Sequence, residues 1–320
     1  MRLHRGRLTS RVASRAGAAE PRAVGRRAME LTQQDVVWVF GETGAKIFAA
    51  AEVVASGFGD VRYQLEPNDL FTAKAKTDLA RAHAAYWREL LHRAHLGGAV
   101  ALLRNLRWCR GMAASARDAN LFAFSASFRG LVESAGDGWD SLGAVPTTLA
   151  TNHRAIEDAL SGSSAKTFFA AADLESALIE FSHARKLKKN EIAPPEHRAK
   201  PTAEYVRLLD EASVPRAGEL YQLLCALTHP AAASVSTFLE SDDGERFVLA
   251  SEPDAEAIRY LTETFATSMT PLLEFAFNLS FLLLGVLNRL PVSEVHCASL
   301  GAFRIEGIRG WKRLVVALAH

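Results

Sequence analysis

Cysteine is scarce: the chain has three in 320 residues, Cys109, Cys225 and Cys297, widely separated and with no Cys-x-x-Cys pair. That excludes a disulfide framework and a zinc knuckle, and it fits a reducing, cytoplasmic setting. Long apolar runs are also missing. The most apolar stretch, Phe275 to Leu287, is 13 residues between Glu274 and Arg289, short of the ~20 a spanning helix needs, so a buried core helix and no membrane partner is expected. There is no Gly-x-Ser-x-Gly, no His-Glu-x-x-His and no kinase motif set. "GETGAK", Gly41 to Lys46, lacks the Lys-Ser/Thr ending and the preceding strand that a phosphate loop requires.

What is present is a globular composition, 49% apolar and 23% charged, enough to bury a large core. The formal charge of +1 conceals an asymmetry. Of 37 Lys and Arg and 36 Asp and Glu, eight Arg and one Glu fall in residues 1–28, which leaves 29 basic against 35 acidic residues and a body of net charge −6. A mildly acidic body argues against general nucleic-acid binding, which needs a basic face. Residues 1–28 have no apolar core for a secretory signal and read as an extension outside the fold. They are either a mitochondrial-type presequence or a translated upstream stretch with Met29 as the start. Pro21 and the absence of an apolar face favour the second.

From Met29 the chain reads as helix after helix, with apolar residues recurring at three and four positions and breaks at Gly or Pro. The pattern predicts helices over 33–56, from Asn68 or Asp69 to His95, over 99–116, 118–135, 149–160, 164–186, 202–212, 216–229 and 254–290. Pro271 should kink or divide the last of these. "GG" at Gly97 and Gly98 and the stretch 136–148 read as breaks, and "ERFVLA" as an isolated strand. The expectation is an all-α, multi-helix array occupying 29–320 as one domain, with 29–118 and 119–320 as the alternative subdivision.

His229 ends the segment "ELYQLLCALTHPAA". At ~100° per residue, Leu220, Leu223, Leu224 and Leu227 share one helix face, while Gln222, Cys225 and His229 lie opposite. Pro230 stops the helix, so a C-terminal cap is the ordinary role for this histidine. Arg129 and Glu133, spaced i, i+4 in "FSASFRGLVES", lie opposite Phe124, Phe128 and Leu131 and can pair along their helix.

These two segments together resemble uncharacterised bacterial helical proteins near the HEPN (higher eukaryote and prokaryote nucleotide-binding) superfamily, over about residues 121–238. The resemblance implies a HEPN-like bundle at the centre of the array. HEPN ribonucleases use an Arg, four to six residues, then His to handle the scissile phosphate and the RNA 2′-hydroxyl. Here Gln222, Leu223 and Leu224 stand where that Arg should be, and the nearest upstream one is Arg216. The motif would need an Arg from another helix, such as Arg129, to substitute in space.

Two further constellations carry other chemistries. Glu89-Leu-Leu-His92 and Glu180-Phe-Ser-His183 have the E-x-x-H spacing of di-iron bundles, with Glu52 and Glu133 available as lone ligands. Each pair lies outside its helix's apolar face, however, so neither a metal nor any other cofactor is expected. The basic run Arg185, Lys186, Lys188 and Lys189 could steer an anionic ligand, although such runs are more often solvated loops.

Because each polar group is turned from its own apolar stripe, the leading expectation is a helical interaction or regulatory protein without an assembled catalytic site. Its partner would be unknown, with a homodimer through an apolar helix face as one option. The alternative is a HEPN-like RNA-binding or RNA-cleaving factor. It would use His229 as acid/base, Arg129 as phosphate clamp, and Glu133 and Tyr221 in support.

Overall fold

The computed structural model describes residues 31–59, 61–63, 67–163, 168–212, 214–230, 232–241, 246–249 and 253–319. The expected extension over 1–28 lies outside these residues. The fold is all-α. In chain order its helices are α1 (Gln33–Ser56), α2 (Asn68–Thr77), α3 (Leu79–Arg117), α4 (Leu121–Leu142), α5 (Val145–Thr151), α6 (His153–Ser161), α7 (Ala172–His183), α8 (Thr202–Glu211), α9 (Ala217–Thr228) and α10 (Ala232–Ser236). A hairpin of β1 (Leu239–Ser241) and β2 (Phe247–Leu249) precedes α11 (Pro253–Thr264), α12 (Ala266–Leu287) and α13 (Trp311–Ala319).

Local chemistry sets the long helices. Thr32 and Asp35 form a reciprocal capping box at the start of α1, with Asp35 N donating to Thr32 Oγ1 at 3.2 Å and Thr32 N to Asp35 Oδ2 at 2.8 Å. Asp78 accepts from Arg81 N at 2.9 Å to start α3, and Asn120 accepts from Ala123 N at 2.9 Å to start α4. Helix α3 packs against α1, α4 and α12 and contributes to both apolar clusters. One cluster joins Leu102, Leu106 and Met112 to Phe124, Phe128 and Phe277. The other joins Trp87 and Leu91 to Leu142, Leu283 and Trp311. Each such side chain taken fully out of water contributes about 1.5–3 kcal/mol before entropy is counted. Helix α12 is long and apolar enough to cross a membrane by length and composition, and most of it is buried inside the protein.

Glycine misleads the helix boundaries. Gly97 and Gly98 do not break α3; a Cβ on Gly98 would stand 3.2 Å from Leu283, and one on Gly97 3.4 Å from Leu142. They are points of close helix approach. Likewise α4 continues through Gly136, where a Cβ would meet Tyr205 at 2.6 Å, and α5 starts at Val145, so all of the stretch expected as a loop except Gly143 and Ala144 is helix. Two breaks carry no glycine, Asp78, which divides α2 from α3, and Asn152, which divides α5 from α6, whereas Gly57, Gly143 and Gly162 do end α1, α4 and α6. Gly41, with φ 69° and ψ 172°, kinks α1 inside "GETGAK".

Three other boundaries differ from expectation. Helix α7 begins at Ala172, eight residues later than its periodicity suggests, and residues 164–167 lie outside the described set. The strand expected to stand alone pairs antiparallel with β1, Leu239 opposite Leu249. The long final stretch divides at Phe265, while Pro271 sits within α12.

Three histidines of α3, His83, His92 and His95, are buried, although His92 lies outside the helix's own apolar stripe. The chain between α1 and α2 covers it, with the Tyr63 ring edge-on at 6.4 Å. Tyr63 Oη is 2.8 Å from His95 Nδ1, and burial pushes the Tyr63 hydroxyl up to about 12, so that hydroxyl is the donor.

Candidate functional site

The off-stripe flanks of α4 and α9 lie against each other, and this brings the four candidate catalytic residues together. Arg129 and Glu133 pair one turn apart on α4, Arg129 Nε to Glu133 Oε1 at 2.8 Å. From α9, the Tyr221 hydroxyl donates to that same Glu133 oxygen at 2.8 Å, and the Arg129 guanidinium lies over the Tyr221 ring at 5.7 Å. At the C-terminal end of α9, His229 Nε2 stands 3.4 Å from Arg129 Nη1, with Thr228 Oγ1 at 3.5 Å. Both are at the long end of hydrogen bonding. A guanidinium only donates, so the Arg129 contact requires a bare Nε2 lone pair.

The four side chains thus come within reach of one another, although each was expected to turn away from its own apolar stripe. Each does turn from its own apolar stripe, with Leu220 and Leu224 buried and His229 exposed. A side chain turned from its own stripe can still face the flank of the neighbouring helix, and α4 and α9 are neighbours. Single-helix periodicity does not contain that information. The positions expected for a HEPN-type arginine on α9 hold exposed Gln222, half-buried Leu223 and buried Leu224; the guanidinium next to His229 comes from α4.

Electrostatics fixes the roles. Burial first, and then the hydrogen bond to the Glu133 carboxylate, pushes the Tyr221 hydroxyl up to about 12, so it remains a donor that holds Glu133. Glu133 in turn fixes the Arg129 Nε edge, while Nη1 turns to Thr228 and His229. The Arg129 and Glu133 side chains retain 27% and 32% exposure, so the pair is open to a ligand. Thr228, whose hydroxyl donates to Leu224 O at 2.8 Å, is the member that sequence reasoning missed. Its only signal was its place beside His229.

The other candidates do not join this site. Arg185 is paired with Glu191, whose carboxyl is lowered to about 2 by that partner and by the Lys188 backbone N–H at 3.0 Å. Lys186, Lys188 and Lys189 are exposed around it. The end of the segment is tied down by Lys200, 2.6 Å from Asp140 and 3.6 Å from Glu180, and by Arg185 N donating to His197 O at 3.0 Å. Of the E-x-x-H pairs, Glu89 bonds Arg93 at 2.7 Å and Glu180 faces Lys200. Glu52 is held by Arg110 at 2.8 Å. Among the described residues no group of three or more His, Cys, Asp or Glu could hold a metal ion.

Comparison with family models, with curated proteins and with solved structures finds no match to this chain.

Proposed function

We propose that the Arg129–His229 pair engages an RNA phosphodiester, with Arg129 as the phosphate clamp and His229 as the acid/base of strand cleavage, in a HEPN-like helical protein. The observation that carries this reading is the 3.4 Å approach of Arg129 Nη1 to His229 Nε2 across two helices, braced by Glu133 and Tyr221. A phosphate oxygen on Arg129 would place the adjoining ribose beside the imidazole. Neutral His229 then takes the 2′-hydroxyl proton as that oxygen attacks phosphorus. The bond to the 5′-oxygen breaks, and the leaving oxygen takes a proton back from the imidazolium. The products are a 2′,3′-cyclic phosphate and a 5′-hydroxyl end.

With a body charge of −6, binding rests on few phosphates, so its dependence on salt should be shallow. The experiment is cleavage of a fluorogenic single-stranded RNA and of its all-2′-deoxy counterpart by purified protein. Expected is cleavage of RNA only, falling at least about 100-fold in His229→Ala, the range general acid–base catalysis supplies. RNA cleavage undiminished in His229→Ala, or none by the parent protein, overturns the cleavage step.

A second reading, a protein-interaction surface, is favoured by the hairpin. Leu239, Phe247 and Leu249 share one of its faces by register and are 44%, 65% and 79% exposed. Phe238, just before it, stacks on Phe122 of α4, two turns from Arg129. Under this reading Phe247→Ser changes a complex while His229→Ala does not.

A further inference from the structure

A cleft of about 500 Å³ opens between the C-terminal end of α12 and the turns Ala298–Ala302 and Ile305–Gly307, built from residues that the Arg129–His229 site does not use. Gly285 lets its walls close. A Cβ there would meet Ile305 at 2.5 Å and Trp311 at 2.8 Å, so only glycine allows both to rest on α12. Asn288 fixes the opposite side, its Nδ2 donating to Cys297 O at 3.0 Å and its Oδ1 accepting from Cys297 N at 2.7 Å. Phe303 packs on Phe281 with ring centroids 4.7 Å apart.

The lining therefore has an apolar wall, Leu300, Phe303 and Trp311, and a charged rim of Arg289, Arg304 and Glu306. Both arginines are exposed, and among the described residues neither has an ion-pair partner. By contrast, Arg117 and Arg216, at other helix ends, are paired with Asp118 and Glu219. Two guanidinium groups without an ion pair and the half-buried Phe303 ring beside the edge of buried Trp311, all lining one cleft of ligand size, suit an anion with a flat apolar body.

We propose that this cleft binds a small aromatic anion, its ring system against Phe303 and Trp311 and its phosphate or carboxylate between Arg289 and Arg304. The test is calorimetric titration of the full chain with 1-naphthyl phosphate, beside 1-naphthol as the uncharged control. Expected is saturable 1:1 binding of the phosphate, absent for naphthol and weakened about tenfold or more in each of Arg289→Ala and Arg304→Ala. Glu306→Gln should tighten it, since the only carboxylate on the rim is removed. Circular dichroism confirms that these exposed substitutions leave the fold intact. No saturable binding, equal binding of naphthol, or affinity indifferent to both arginines overturns the proposal. Arg129→Ala, in the other site, should leave the titration unchanged, so the two assignments fail independently.

Discussion

Acid should destabilise this protein through the histidines buried in α3. His95 is fully buried, its Nδ1 accepts from Tyr63, and burial first, then neighbouring His92, lowers it from 6.5 to about 4. His92 is shifted the same way, by burial first, against the pull of Glu294 and Glu89 and with the push of Arg88. The sign follows from which state takes up protons. Above pH 6.5 both folded and unfolded chains hold a neutral imidazole, and the folded state has its full stability. As pH falls from 6.5 towards 4 the unfolded chain binds a proton that folded His95 refuses, so stability is lost across that window. At pH 5 the loss from His95 alone is about 2 kcal/mol, and it saturates near 3 kcal/mol below pH 4.

The assay is urea unfolding at pH 7.5 and pH 5.0, for the parent and for His95→Asn, which keeps an acceptor for the Tyr63 hydroxyl and cannot titrate. The variant is expected to be less stable at both pH values, yet to lose about 2 kcal/mol less between them. An identical acid loss in the two proteins would refute the assignment.

Three other outcomes follow from packing and pairing. Phe128→Ala, which empties a fully buried site edge-on to Phe124, should cost about 3–5 kcal/mol in urea unfolding. Gly136→Val should cost at least about 1–3 kcal/mol, because the new Cβ overlaps the Cβ, Cα and carbonyl oxygen of Tyr205, and Tyr205→Ala, which keeps all three atoms, should not recover it. Lys200→Met should change stability by about 1 kcal/mol or less, since the ion pairs with Asp140 and Glu180 are partly exposed, while limited trypsin digestion cuts faster after Lys186, Lys188 and Lys189.

The helical class, α8, α9 and the limits of α1 were legible because one-dimensional signals coincide there. The capping residue Thr32, the 3.6-residue apolar period and Pro230 act on the chain locally. Gly97, Gly98 and Gly136 misled for the opposite reason. A glycine that admits a neighbouring helix and a glycine that ends a helix are the same letter, and only Leu283 or Tyr205 across the interface distinguishes them. The pairing of β1 with β2 was missed because three-residue strands carry almost no periodicity.

The candidate site was half legible. Arg129 with Glu133 follows from i, i+4 spacing, and His229 from its place before Pro230. That Tyr221 and His229 reach across to α4 is a property of the α4–α9 packing, which the hydrophobic pattern of either helix leaves undetermined.

The central claim is that Arg129 and His229 act on one phosphate, and a double-mutant cycle tests it most directly. Single-turnover RNA cleavage would be measured for the parent, Arg129→Ala, His229→Ala and the double variant. Groups that work as a unit give a double variant no slower than the slower single one. Two losses that multiply, or a rate indifferent to both substitutions, would contradict a shared phosphate.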